Sequence, residues 1–170
     1  MKRLLPGLLI IWPYLIIVIN QFDEASAALA SIYTFSTMII YILNIINSFQ
    51  YKDYKALVLF NLILKIAHIP FYLAVFMIGI LFMMSIAVPA IGAIAPFVIM
   101  YLFIIDSLLM ITTSMYGINA IKILRKNKQI TKTTAFINIL MHLFFITDVI
   151  SAIMISSKVR KYSHEIKEKL

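Results

Sequence analysis

Residues 56–88 read ALVLFNLILKIAHIPFYLAVFMIGILFMMSIAV, and this stretch decides the fold class. Lys65 is its one residue of the Lys, Arg, Asp and Glu types, and most of its other residues are hydrophobic. About 20 such residues are enough to cross the hydrocarbon core of a bilayer as a helix. A strand of a membrane barrel would instead alternate polar and apolar residues. The stretch therefore predicts a long transmembrane helix, with a kink at Pro70.

The composition of the whole chain agrees with this interpretation. Of the 170 residues, 63% are hydrophobic and 13% are charged, whereas a soluble domain carries about a quarter charged residues. The absence of cysteine excludes disulfides, thiolate catalysis and cysteine-ligated zinc or iron–sulfur sites. The sequence also has no phosphate-binding glycine loop, His-Glu-x-x-His motif or serine nucleophile elbow. We therefore predict no catalytic residues and no metal site, and an enzyme is not favoured.

The apolar blocks predict an all-α, polytopic membrane bundle of about five transmembrane helices in a single domain, residues 1–170. The first block starts with basic residues and ends near Ala25, as a cleavable signal peptide does, and cleavage would leave four helices. We favour a retained first helix, because acidic Asp23 and Glu24 precede the small residues and Asp23 can cap the next helix. The predicted helices are 4–22, 25–49, 56–88, 97–121 and 133–156, followed by a charged tail at 157–170.

The basic residues lie in the connectors and the tail, with Lys65 as the exception. With the N-terminus inside, nine Lys and Arg residues fall on the inner side and five, all in the tail, on the outer side. This predicts a multi-pass protein of the cell membrane with a cytoplasmic N-terminus, although an even number of crossings would bring both ends inside. The net charge of +8 favours anionic lipid headgroups rather than nucleic acid as its partner. The length and layout are typical of small bacterial membrane proteins.

A few ionisable and polar residues interrupt the predicted helices. An Asp, Lys or Arg at the centre of a membrane helix costs about 2.5–3.5 kcal/mol, so such residues mark ion, proton or ligand sites. Spacings of three and four residues place several of them on shared helix faces, which turn toward other helices in lipid. The candidates for binding a ligand, ion or proton are Asp106, Asp148, His142, His68, Lys65, Asn61, Asn138, Asn44 and Thr113.

The depth of these residues follows from a helical rise of about 1.5 Å per residue. Lys65 and His142 should lie about 14 Å below the basic connectors, and Asp106 and Asp148 about 22 Å below them. We therefore predict a polar crevice that opens on the basic side and closes beyond the two carboxylates. Structural roles compete with this interpretation, because Lys65 can reach toward the interface and histidines can bond neighbouring helices.

Three hypotheses about function follow. The first is a small carrier or permease, in which the carboxylates bind a proton or cation; five helices are few for such a pathway, so a homodimer is expected. The second is a non-catalytic accessory, immunity or assembly protein that binds another membrane protein. The third is a haem-binding redox protein with His68 and His142 as axial ligands, and it is the only hypothesis that needs a cofactor.

Overall fold

The computed structural model describes residues 3–16, 26–142 and 144–168. This part of the chain is helical and contains no strand, which confirms the all-α prediction. A short 3-10 turn, Trp12–Tyr14, follows the first helix. The α-helices are α1 (Leu4–Ile11), α2 (Ser26–Gln50), α3 (Tyr54–Ser85), α4 (Pro89–Gly92), α5 (Ala95–Lys126), α6 (Lys132–Met141) and α7 (Phe145–Glu168).

Within the described ranges, three helices are long and apolar enough to cross a membrane, which supports a transmembrane protein. They are α2 from Ser31 onward, α3 and α5. The 32 residues of α3 and of α5 extend about 48 Å, more than the roughly 30 Å of a hydrocarbon core. The side chain of Asp53 caps α3 by accepting a hydrogen bond from Lys55 N at 2.9 Å. Arg125 and Lys126 lie in the last turn of α5, where cations favour the helix dipole.

Helices α3 and α5 form the central pair of the bundle. Helix α2 packs against α5, and α7 packs against α3. Leu64, Leu109 and Tyr116 are fully buried between these helices. In contrast, large apolar side chains such as Phe76 and Phe103 are exposed on the outer faces. An apolar exterior of this kind suits contact with lipid rather than water.

The first predicted helix, residues 4–22, is described only as far as Ile16. Helix α1 ends at Ile11, and Pro13 lies in the 3-10 turn that follows, consistent with its missing N–H. Residues 17–25, with most of the possible cleavage region, lie outside the described residues. Leu9 is fully buried, Trp12 Nε1 donates to Thr37 Oγ1 at 2.8 Å, and Tyr14 donates to the carbonyl of Ala67. The segment therefore contacts both α2 and α3.

The predicted helix 133–156 is wrong, because the structure divides it into α6 and α7. The chain reverses after His142: Ser151 Oγ on α7 donates to Asn138 Oδ1 on α6 at 2.9 Å. Thr147 Oγ1 donates to the carbonyls of Met141 (2.7 Å) and Phe144 (3.1 Å), which lie where regular helical bonding stops. We call this unit the α6–α7 hairpin. Helix α7 continues through most of the predicted tail, to Glu168.

The hairpin brings the tail back to the basic connectors, contrary to the expectation of a tail on the other side. Lys158 and Lys161 line one cavity together with Gln129, which follows α5. Burial raises the pKa of the Tyr51 hydroxyl, and the nearby Arg3 guanidinium partly offsets that rise. Tyr51 directly follows α2, so Arg3 lies at the same end of the bundle. We call this the basic end. The connector at the other end, residues 86–94, has no charged residue.

Candidate functional site

Three ionisable side chains meet in the interior of the bundle. Lys65 Nζ forms an ion pair with Asp148 Oδ2, and His142 Nδ1 contacts Asp148 Oδ1. All three side chains are buried, with exposed fractions of 2% or less. We call Lys65, His142 and Asp148 the ion cluster. It joins α3 to the tip of the α6–α7 hairpin, and it unites three residues that the sequence analysis had selected.

Hydroxyl groups from α5 complete the surroundings of Lys65. Its Nζ donates to Thr113 Oγ1 at 2.7 Å and to Ser114 Oγ at 2.8 Å. Ser114 Oγ also lies 3.3 Å from Asp148 Oδ2. An ammonium group has three protons, and here each has an oxygen partner. A buried charge is tolerated when it is paired and hydrogen-bonded in this way.

The break between α6 and α7 positions Asp148. His142 is the C-cap residue that directly follows α6, and Asp148 lies in the first turn of α7. A carboxylate in the first turn is favoured by the positive end of the helix dipole. An uninterrupted helix would have carried Asp148 about 9 Å farther from the basic end than His142, since six residues separate them. The reversal instead places both side chains beside Lys65.

Gly117 on α5 makes room for the histidine. A Cβ atom at this position would lie 2.5 Å from His142 Nε2 and 2.9 Å from Asn61 Nδ2. Both distances are too short for any larger residue without movement of these side chains. Asn61, on α3, therefore lies beside the ion cluster, as its place on the predicted polar face suggested. His142 Nε2 is buried and has no hydrogen-bond partner among the described residues.

His68 has a structural position outside the ion cluster. Its Nδ1 lies 2.6 Å from the carbonyl oxygen of Leu64, and its Nε2 lies 3.0 Å from that of Leu9. The ring thereby connects α3 to α1. A haem ligand needs one imidazole nitrogen free to bind iron, and both nitrogens of His68 face carbonyls. The haem hypothesis therefore finds no support in this arrangement.

Asn44 belongs to a separate polar contact between α2 and α5. Tyr116 donates to Asn44 Oδ1 at 2.8 Å, and Asn47 Nδ2 donates to the Tyr116 hydroxyl at 3.1 Å. Farther along, Asn119 Nδ2 donates to the carbonyl of Ser48 at 2.6 Å. Hydrogen bonds of this type hold membrane helices together. We interpret Asn44 as a packing residue rather than a member of the site.

Asp106 lies apart from Asp148, which corrects the predicted crevice with both carboxylates at its deep end. It lines a cavity of about 150 Å³ between α3 and α5, with Val75, Gly79 and Leu102 among the walls. Its Oδ1 is buried and has no hydrogen-bond partner in the described ranges. The prediction failed because it assumed one continuous final helix. Tyr72 lies between the two carboxylates, within electrostatic range of both Asp106 and Asp148.

A second, larger cavity of about 290 Å³ opens at the basic end. Thr134 and Asn138 of α6 and Lys158 and Lys161 of α7 lie along it. Asn138 also accepts the hydrogen bond from Ser151, one turn beyond Asp148. Polar side chains thus extend from this cavity toward the ion cluster.

Ser114, Gly117 and Ser151 were not among the site residues predicted from the sequence. The available signals were weak: Ser114 adjoins Thr113, and Ser151 follows Asp148 by three residues, which places it on the same helix face. Gly117 could not be distinguished from an ordinary helix glycine without the position of His142. Among the described residues, no group of three or more His, Asp or Glu side chains could hold a metal ion.

The chain belongs to a family of unknown function (DUF6652), whose model matches residues 8–161. The match spans the ion cluster, the residues that line both cavities and all of the α6–α7 hairpin except the last seven residues of α7. No curated protein and no solved structure matches the chain.

Proposed function

We propose that the protein is a small integral membrane carrier that uses the ion cluster to couple proton binding to the movement of a small solute. The observation that carries the proposal is the contact of Lys65, His142 and Asp148 in the interior, at the point where a helix is interrupted. Ionisable residues inside membrane helices mark proton relays and ion pathways. Interrupted helices recur at the binding sites of carriers.

The proposed topology has four crossings and one re-entrant hairpin. Helix α2 finishes at the basic end and starts about 36 Å from it, whereas Arg3 lies at the basic end, so the proposed topology has one crossing before α2. Helices α2, α3 and α5 supply three more crossings. The α6–α7 hairpin enters from the basic end and returns to it. We place that end in the cytoplasm, because connector 86–94 has no basic residue.

Polar groups support a route between the two cavities. From the basic end, Asn138 and Ser151 lead to the ion cluster. Beyond the cluster, Tyr72 and Asp106 lead to the smaller cavity between α3 and α5. Asp106 is the one polar side chain among the described residues that line this cavity, and its carboxylate suits a solute with a positive charge. The solute class we expect is therefore a small cation or zwitterion.

The ion cluster also suggests how proton binding moves the protein. A proton bound to Asp148 would neutralise its carboxylate, which both Lys65 and His142 contact. Their attraction to the hairpin tip would weaken, and the tip could move relative to α3. Release of the proton would restore the ion pair and the closed arrangement. Asp148 is thus the proton-binding residue of the proposal, and Asp106 is its solute-binding residue.

The test is electrophysiology of the purified protein, reconstituted in liposomes on a solid-supported membrane. A pH jump should displace charge in the wild type, and members of a panel of small cations and zwitterions should change that current. Asp148→Asn should abolish the pH response, and Asp106→Asn the solute response. Lys52→Gln, a charge change in an exposed connector, is the control and should behave as wild type. Wild-type currents equal to those of empty liposomes would refute the carrier.

A second candidate is a non-catalytic accessory protein in which the ion cluster only locks the hairpin. It is favoured by the completeness of the bonding around Lys65, and by the fact that neither cavity is lined by a cluster residue. The double variant Lys65→Met/Asp148→Asn separates the candidates, because it removes both charges together. A stable double variant with a normal cellular phenotype would favour the lock, whereas a stable variant without function would favour the carrier.

A further inference from the structure

The larger cavity, where the proposed route begins, also has features that a proton route does not need. Its walls include the apolar side chains of Leu124, Ile130 and Ile155. Lys158 and Lys161 lie at its basic margin, three residues apart and so on one face of α7. Among the described residues that line it, none is acidic. The cavity therefore combines buried apolar side chains with two exposed cations at its margin.

We propose that this cavity binds an anionic glycerophospholipid from the leaflet at the basic end. The two lysines would contact the phosphate, and the apolar walls would receive the first part of an acyl chain. Basic pockets between membrane helices on the cytoplasmic side are suited to lipid headgroups. At about 290 Å³, the cavity is near the lower limit of small-molecule sites, so it accommodates a headgroup and a short length of chain.

The position of the cavity gives the bound lipid a consequence. Thr134 and Asn138 line it from α6, whereas Met154 and Lys158 line it from α7. A molecule in the cavity therefore touches both arms of the hairpin and would hold them together. Its binding should stabilise the arrangement that brings Asp148 to Lys65. The inference does not depend on the carrier proposal, because a locked accessory protein would bind the same lipid.

The experiment measures thermal stabilisation of the full-length protein in a neutral detergent. Short-chain phosphatidylglycerol is titrated beside short-chain phosphatidylcholine and inorganic phosphate. We expect phosphatidylglycerol to raise the unfolding temperature, and the other two to have little effect. In Lys158→Gln/Lys161→Gln, its apparent affinity should fall roughly fivefold for each lysine removed. The matched control, Lys52→Gln/Lys55→Gln, removes the same charge from the same end but outside the cavity and should retain wild-type affinity.

A third variant tests the apolar part of the site. Met154 is 46% exposed and lines the cavity, so Met154→Trp should fill it without changing the charge. We expect this variant to lose the stabilisation by phosphatidylglycerol. If the control Lys52→Gln/Lys55→Gln instead lost as much affinity for phosphatidylglycerol as Lys158→Gln/Lys161→Gln, the lysines would act through general electrostatic attraction. That result would overturn the proposal. Equal stabilisation by inorganic phosphate would show that the site binds a free anion instead of a lipid.

Native mass spectrometry of the wild type provides a measurement that does not rely on folded variants. Protein released from nanodiscs with equal amounts of phosphatidylglycerol and phosphatidylcholine should retain one molecule of the anionic lipid. Retention of both lipids in equal amounts, or of neither, would contradict the proposal.

Discussion

Asp148, in the first turn of α7, forms an ion pair with Lys65 in α3, and both side chains are at least 98% buried. The pair links the hairpin to the central helices at a point far from either end of α3. The attraction must offset the cost of removing two charges from water, which is several kcal/mol for each. Thr113 and Ser114 provide the additional hydrogen bonds that make such burial possible.

Asp148→Asn should strongly destabilise the protein, because it leaves Lys65 as an uncompensated buried cation. The loss of one partner of a buried pair costs about 3–5 kcal/mol. The free energy of unfolding in detergent, from denaturant titration, is the measurement. Lys65→Met/Asp148→Asn removes both charges and should recover most of the loss. A double variant as unstable as the single one would show that the pair is not the source of the effect.

Gly117→Ala should destabilise the bundle by displacing His142 and Asn61. The added Cβ would lie 2.5 Å from His142 Nε2 and 2.9 Å from Asn61 Nδ2, and overpacking of this kind costs about 1–3 kcal/mol. Gly7→Ala is the matched control, since a Cβ there meets nothing within 4 Å. The unfolding temperatures of both variants are compared with the wild type. Equal temperatures for all three proteins would mean that the space beside Gly117 is not required.

Asp106→Asn should change stability far less than the loss of about 3–5 kcal/mol expected for Asp148→Asn. Asp106 is not in the ion cluster, and its buried Oδ1 has no hydrogen-bond partner among the described residues. The isosteric amide removes the charge without changing the volume of the cavity. Comparison with Asp148→Asn by denaturant titration is the measurement. A loss as large as that of Asp148→Asn would place the two carboxylates in one network.

The sequence predicted the helical class and the three long helices because those features depend on continuous hydrophobicity. The position of Lys65 on an inward face followed from its spacing with Asn61, and its burial agrees with that. The reversal after His142 could not be predicted in the same way. No Gly or Pro interrupts residues 133–156, and the bonds from Thr147 that accompany the break depend on the folded chain.

That error changed the predicted site more than it changed the predicted fold. Depth along a straight helix put Asp148 level with Asp106, whereas the hairpin puts it level with Lys65. The shared cluster of Lys65, His142 and Asp148 is therefore a tertiary feature. It depends on the reversal and on the space at Gly117, and neither has a strong signal in a single sequence.

Single-cysteine labelling should establish that the tail lies on the same side as the basic connectors. The chain has no native cysteine, so Asn127→Cys, Ser157→Cys and Ala93→Cys can each be introduced without further changes, and all three positions are exposed. A membrane-impermeant maleimide is applied to sealed vesicles of each orientation. Residues 127 and 157 should be labelled from one side and residue 93 from the other. Labelling of residues 157 and 93 from the same side would mean that the last segment crosses the membrane, and the re-entrant hairpin would have to be abandoned.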